Sequence, residues 1–362
     1  MARPMRLDVP FLAYRPYAEF LQGLADRIAA VHFSLPLLPL ALDSRNLPRR
    51  EELAELNALL ASLPGPRKHA LVNSRFYPPE LYTDPEALAP ILVLLRALLR
   101  QGNLHGIIFA DHYLLQALGR ADPELCGQLE AIPSVNTMLD SVDKIRAQLE
   151  LIAATPFRPP GQLVLDRALN RDLARLAEVR QGCRRAFPAI RLALLANEGC
   201  LYQCPFKPAH DALIALANSR GQTDIGLVNS TLGCIDHLAT QPARLFKSPF
   251  IRPEDQPHYA AYADQLKLCG RTLGAKFLMR LVSAYAAGHY DGNLLDLFDT
   301  MEWLAPRLLV PNRQIPDDFF DTVTACPKAC GSCGYCDRLH EAICRPLPFA
   351  LPDLRPAAAS SA

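Results

Sequence analysis

Short runs of Val, Ile, Leu and Ala alternate along this chain with longer stretches in which apolar positions recur every three or four residues. The short runs predict strands over Arg6–Val9, Ala30–Leu35, His69–Asn73, Gly106–Asp111, Ser134–Met138, Gln162–Asp166, Ile190–Leu195, Ala243–Lys247 and Gln265–Cys269. The longer stretches predict helices, among them Pro85–Arg100, Ser141–Ile152, Arg171–Cys183 and Lys276–Ala287. Strand-then-helix alternation implies a parallel sheet covered by helices, and this many strands implies an α/β fold closed as a (β/α)8 TIM-like barrel. The count is one too many for eight. Ala243–Lys247 is therefore set aside, and Gly221 to Tyr259 becomes an excursion that carries Cys234 and Lys247.

Such barrels place their chemistry at the C-terminal ends of the strands. Ser34, Asn73, Asp111, Asp166 with Arg167, Asn197 with Glu198, and Arg271 all stand at those ends. Each alone reads as a loop or cap residue, but together they outline a polar pocket. Arg167, Glu198 and Arg271 are the candidates for positioning a substrate or moving protons. After about Met301 the pattern breaks at Pro306, Pro311 and Pro316. The expected division is a barrel over residues 1–300, a Cys-rich C-terminal extension over 301–355, and a tail without fixed structure over 356–362.

The length of 362 residues accommodates a barrel, which takes about 250, and an apolar content of 50% supplies its core. The 38 Lys and Arg against 37 Asp and Glu leave a net charge of +1, which argues against broad nucleic-acid binding and leaves room only for a local basic patch. Met1 to Phe20 holds no uninterrupted apolar run of the kind an export signal needs. The most apolar stretch, Ala87 to Leu99, is interrupted by Arg96 and is too short to span a membrane. The expected location is the cytoplasm, without a transmembrane segment, where reducing conditions make clustered cysteines metal ligands before disulfides.

Cysteine usage then dominates the reading. Of 11 cysteines, Cys200 and Cys204 sit just past an expected strand end, with Cys234 following Gly233. Cys326, Cys330, Cys333 and Cys336 follow at x3, x2, x2 spacing. Thiolates this close converge on one soft metal centre. Cys200, Cys204 and Cys234 are expected to hold a 4Fe–4S cluster, with Gly199 lending backbone freedom and Cys269 the first candidate for a fourth ligand. If only three cysteines bind, one iron stays open to substrate or water.

The compact C-terminal spacing is closer to ferredoxin-like ligation than to zinc sites, which pair two short hooks across a longer loop. A second cluster is expected there, with zinc as the alternative and Cys344 as a spare. Cys126 and Cys183, alone on helical patterns, read as small buried hydrophobes. The cysteine loop of radical-SAM enzymes needs a third cysteine where Lys207 stands, so that reading is set aside. His210 is a candidate proton donor or ligand near Cys204, and His237 stands similarly near Cys234. Lys247, Arg252 and Arg271 are candidate anion-binding residues, and Tyr290–Asn293 reads as a turn.

The run Val164-Leu165-Asp166-Arg167-Ala168-Leu169 resembles the strand-and-arginine segment of the peptidase U-thirty-two (collagenase-like) family. Leu266-Lys267-Leu268-Cys269-Gly270-Arg271, followed by a helix, is similar to that family's last barrel strand. The resemblance covers roughly residues 5–290, and Cys200 sits where the family places its first cluster cysteine. It implies a barrel binding a 4Fe–4S cluster through four cysteines. It also implies kinship with oxygen-independent hydroxylation proteins acting on tRNA, rRNA or the ubiquinone ring, some of them heterodimers of two homologues. This chain departs from the pattern: its first two cysteines lie closer together, Cys269 replaces a glutamate, and the C-terminal cysteines are extra.

The expected function is that of an iron–sulfur redox enzyme, hydroxylating or otherwise modifying a small or lipid-like organic substrate in a biosynthetic pathway, fed by an electron donor. The candidate catalytic residues are Arg167, Glu198, His210 and Arg271. The alternative is a non-catalytic iron–sulfur partner or electron-transfer subunit of a homologous enzyme. A peptidase is the weaker reading, because no Ser/His/Asp elbow or His-Glu-x-x-His motif is present.

Overall fold

The computed structural model describes residues 5–36, 42–43, 52–220 and 225–348. The expected structureless tail, 356–362, lies outside the described residues, as do Met1 to Pro4 and Gly221 to Asp224.

The strands are β1 (Arg6–Pro10), β2 (Ile28–Ser34), β3 (Arg67–Val72), β4 (Gly106–Phe109), β5 (Glu130–Pro133), β6 (Gln162–Val164), β7 (Arg191–Leu195) and β8 (Gln265–Lys267). All pair in parallel, in the order β5-β4-β3-β2-β1-β8-β7-β6, so β1 closes against β8 and one seam is left between β5 and β6. Arg158, just ahead of β6, bridges that seam. Its carbonyl accepts from Ala131 N at 3.1 Å and its own N–H donates to Leu129 O at 2.9 Å. The Glu130 carboxylate reinforces the closure, accepting from Arg67 Nη2 at 2.7 Å on one side and Gly161 N at 3.2 Å on the other. The result is a nearly closed α/β barrel of the TIM type.

Alternation along the strands decides what faces where. Leu7, Val9, Val31 and Phe33 join the main core between strands and helices. Inside the barrel lie two small apolar groups, Leu71 with Ile108 and Ile132, and Val164 with Ala193 and Leu195. Helix starts follow cap chemistry: Asp84, Asp111, Ser141, Asp166 and Asp172 each accept a backbone N–H from their own first turn.

Two sequence expectations are corrected. The strand expected at Ser134–Met138 is instead β5 at Glu130–Pro133, and Val135–Thr137 is a 3-10 turn. Ser134 accepts from Asn136 N, and Met138 takes a left-handed φ of 52°, so local side-chain capping ends the ladder there. The excursion between β7 and β8 starts earlier than Gly221, with the helix Lys207–Arg220, and Pro242–Lys247 is a 3-10 helix. Among the described residues no helix is long and apolar enough to cross a membrane.

Beyond β8, Leu308–Leu309 pairs antiparallel with Arg345–Pro346. Between them the helix Phe319–Ala325 is planted in the barrel's own aromatic core. Phe319 lies 6.0 Å from both Phe246 and Phe250, Phe320 lies 5.3 Å from Tyr259, and the Arg171 guanidinium sits 4.8 Å over the Phe250 ring. The segment carrying Cys326 to Cys336 therefore continues from an element fixed to the barrel.

Candidate functional site

At the C-terminal ends of β6 and β7, Arg167 and Glu198 form a buried ion pair, with Nε 2.6 Å from Oε2. Arg167 Nη1 lies 4.0 Å from the Cys200 sulfur. Asn197 staples the neighbouring exits together. Its Nδ2 donates to Cys269 O and Leu297 O at 3.0 Å each, and its Oδ1 accepts from Cys269 N at 2.8 Å and from the Cys269 thiol at 3.4 Å. Arg271, after β8, is held by Asp43 through Nε at 3.2 Å and Nη2 at 2.9 Å. Arg252 is buried against Asp255 through two donors at 3.0 and 2.7 Å. Both arginines are thus engaged by carboxylates. Asp111 and Asp166 act as helix caps.

Cys200 and Cys204 lie on the loop that follows β7. Gly199 has an ordinary φ and is needed instead for space, since a Cβ there would strike the Met301 side chain. The turn between the two cysteines is made by Gln203, a left-handed residue with φ 46°. Burial raises the Cys200 thiol, and the Glu198 charge adds to the rise. Cys204 and Cys234 are also raised by burial. Backbone N–H groups pull the other way, from Phe206 and Lys207 onto Cys204, and from Cys234 itself and Ile235 onto Cys234. Such N–H groups favour thiolates, the form in which cysteine binds metal. Cys204 interacts electrostatically with both Cys200 and Cys234. Cys269 packs against the interior group formed by Val164, Ala193 and Leu195. His210 faces Asn229, with Nε2 2.7 Å from Nδ2, and His237 lies in the helix Cys234–Thr240.

The four C-terminal cysteines, Cys326, Cys330, Cys333 and Cys336, line one cavity of about 280 Å³, together with Phe246, Val323 and Tyr335. Lys328 organises it. This residue is left-handed, with φ 64°, and its backbone N–H donates to the Cys326 sulfur at 3.3 Å. Its ammonium donates to Arg171 O at 3.0 Å, Val323 O at 3.1 Å and Cys326 O at 2.7 Å, which ties the cysteine segment to the loop after β6. The same ammonium stands 5.6 Å over the Tyr202 ring, with Lys247 at 6.0 Å. Tyr202 lies between Cys200 and Cys204, so the two cysteine groups meet across this ring. Burial lifts the Cys336 thiol to about 11, and the neighbouring cysteines contribute.

No disulfide joins any of the 11 cysteines. Among the described residues no three or more Cys, His, Asp and Glu side chains converge tightly enough to hold a metal ion. The donor chemistry nonetheless suits a soft metal: thiols sharing a cavity, N–H groups aimed at sulfur, and lysines beside them. Cys126 and Cys183 are buried on helices apart from both groups.

Two arrangements escaped the sequence reading. A cavity of about 400 Å³ opens beside Arg167, walled by Met138, Tyr202, Cys204, Lys207 and Arg175. Inside the barrel, Asp8 receives His32 Nδ1 at 2.8 Å, Lys267 Nζ at 3.0 Å and Gln162 Nε2 at 3.0 Å. Burial keeps His32 neutral, lowered to about 4, and His69 lower still, at about 3. Burial alone would raise Asp8, but Lys267 and His32 hold it below the ordinary carboxylate range. The available signal was a titratable residue inside each of four short strands: Asp8, His32, His69 and Lys267.

No protein-family model matches the chain. It is similar to a protein of Methanocaldococcus jannaschii that bears the name uncharacterized protease, with 30% identity over 217 residues. The match takes in 59% of this chain and spans 60% of that relative's length.

Proposed function

We propose that this chain is an iron–sulfur protein acting as a redox enzyme on an organic substrate at the barrel mouth. Cys200, Cys204 and Cys234 would hold one 4Fe–4S cluster, with Cys269 the candidate fourth ligand. Cys326, Cys330, Cys333 and Cys336 would hold a second, zinc being the alternative there. The observation that carries this reading is the contact between the two cysteine groups through Tyr202, clamped by Lys247 and Lys328. When bound, such clusters supply one-electron chemistry. The chain's own residues do the rest. Arg167 places positive charge beside the Cys200 sulfur, and Glu198 fixes the guanidinium. Asn197 holds the β7 and β8 exits in register through both ends of its amide.

Anaerobic purification with iron, sulfide and zinc counted per chain tests the reading, repeated on Cys200→Ala and Cys333→Ala. About eight irons per chain, roughly halved in each variant, is the expected result for two four-iron clusters. About four irons lost only in Cys200→Ala, with zinc present, assigns the C-terminal group to zinc. Absence of iron sinks the proposal. A peptidase is the second reading, favoured by the name of the archaeal relative. Hydrolysis of fluorescent casein by metal-free protein, lost in Cys200→Ala, would establish it.

A further inference from the structure

The two ends of the barrel differ in charge, which a net charge of +1 conceals. Arg167, Cys200 and Cys269 follow the C-terminal ends of the strands. At the other end, the loops leading into the strands and the first residue of each strand carry five arginines and three carboxylates among the described residues. Two of those carboxylates are committed. Glu130 accepts from Arg67 Nη2 at 2.7 Å and Gly161 N at 3.2 Å. Asp264 holds Arg180 at 3.0 Å, Arg184, and Leu192 N at 2.8 Å. Among the described residues Arg6, Arg27, Arg158 and Arg191 form no ion pair, and only Asp26 remains to offset them. The last turns of the surrounding helices add Arg100, Arg120 and Arg185 against Glu19, Glu124 and Glu150, and leave the sign unchanged.

These four arginines share one arc of the wall. Arg158 precedes β6, Arg191 opens β7, Arg6 opens β1 and Arg27 precedes β2, and those strands with β8 are consecutive neighbours in the sheet. Arg191 lies opposite Gln162, Arg6 lies opposite Gln265, and Leu7 N donates to Arg27 O. Four strand spacings make the arc about 19 Å long, more than one small anion covers. Arg6, Arg158 and Arg191 are exposed, and like charges this close repel until an anion covers them. Guanidinium forks suit phosphate oxygens. Among the described residues none of the exposed large apolar side chains lies in these loops. That removes the stacking rings a single strand needs, the apolar wedge of a membrane surface and the aromatic anchors of a protein interface. Contact through charge alone remains, the way duplex backbones are held. We infer that this end of the barrel docks the phosphate backbone of a nucleic-acid duplex, on the face opposite Arg167 and Cys200. The inference goes beyond the redox reading and does not rest on it.

The test is fluorescence anisotropy of the full chain with a fluorescein-labelled DNA duplex of about 20 base pairs. Four phosphate contacts should make affinity fall about 150-fold between about 50 and 200 mM salt, through counterion release. Arg158→Gln with Arg191→Gln should cost about tenfold at low salt and lower the slope of log affinity against log salt by about two. Both side chains are exposed, so the circular dichroism melt should not move. Arg313→Gln, at a guanidinium outside the arc, should leave affinity and slope unchanged. No binding at low salt, binding insensitive to salt, or an equal loss in Arg313→Gln would each overturn the inference. Tighter binding of a single strand of the same length, of polyglutamate, or of phosphatidylglycerol vesicles would overturn it too. Cys200→Ala should bind the duplex as the unaltered chain does, which keeps this result separate from the iron count.

Discussion

The Arg167–Glu198 pair concentrates the chemistry of the mouth in two side chains and carries the largest single-residue consequence. Both are nearly buried, so removing one strands the other's charge. Glu198→Ala should destabilise the chain by about 3 kcal/mol or more in urea unfolding, and Glu198→Gln by clearly less. A second residue-scale expectation lies at Gly270, which has φ 114° and where an added Cβ would strike a Phe277 ring carbon. Gly270→Ala meets both a forbidden dihedral and a ring, and should lower the melting temperature by several degrees. The candidate side chains themselves were legible in the sequence, because Arg167, Glu198 and Arg271 follow apolar strands. Which partner each would meet was not. Asp43 lies far from Arg271 in the chain, and only the closed barrel brings the two together.

At the scale of elements, strand order and most strand positions follow directly from the apolar pattern. Where the reading slipped, a side chain outcompeted the ladder: Ser134 caps a turn inside what looks like strand sequence. The interior polar network was hidden for a different reason. A lone Asp, His or Lys inside a short strand carries no signal of its own until neighbouring strands place these residues in the same space. Lys328 was equally invisible, since its role is to tie the carbonyls of its own segment, at Val323 and Cys326, to the distant carbonyl of Arg171. Lys328→Met removes those bonds and frees the cysteine segment from the loop after β6. Limited proteolysis should then cleave near residues 326–336 severalfold faster, while the barrel's unfolding midpoint moves little. Unchanged cleavage would mean that the aromatic contacts of Phe319 and Phe320 hold the segment without help.

For the whole molecule, the buried histidines set the response to acid. His32 and His69 bind protons less readily in the folded chain than the ordinary value of 6.5, at about 4 and about 3. The unfolded chain therefore takes up the protons first, and stability is lost as pH falls from about 6.5 towards 4. Asp8 faces Lys267, His32 and His69, while Arg271 acts on His32 and Arg67 on His69; the depressed Asp8 carboxyl adds to the loss only below its ordinary value of 3.8. Urea midpoints measured across that window should drop steeply, and His69→Gln should flatten the slope.

The barrel wall is also uneven around its circumference. Seven of its junctions are strand-to-strand ladders, whereas β5 meets β6 through Arg158 and the arms of Glu130. A wall stitched this lightly at one line has a mechanical weak point. Pulled apart or strained by pressure, it would part along residues 130 and 158–161 and open like a split ring. The side that yields first would be the one where β6 leads directly to Arg167.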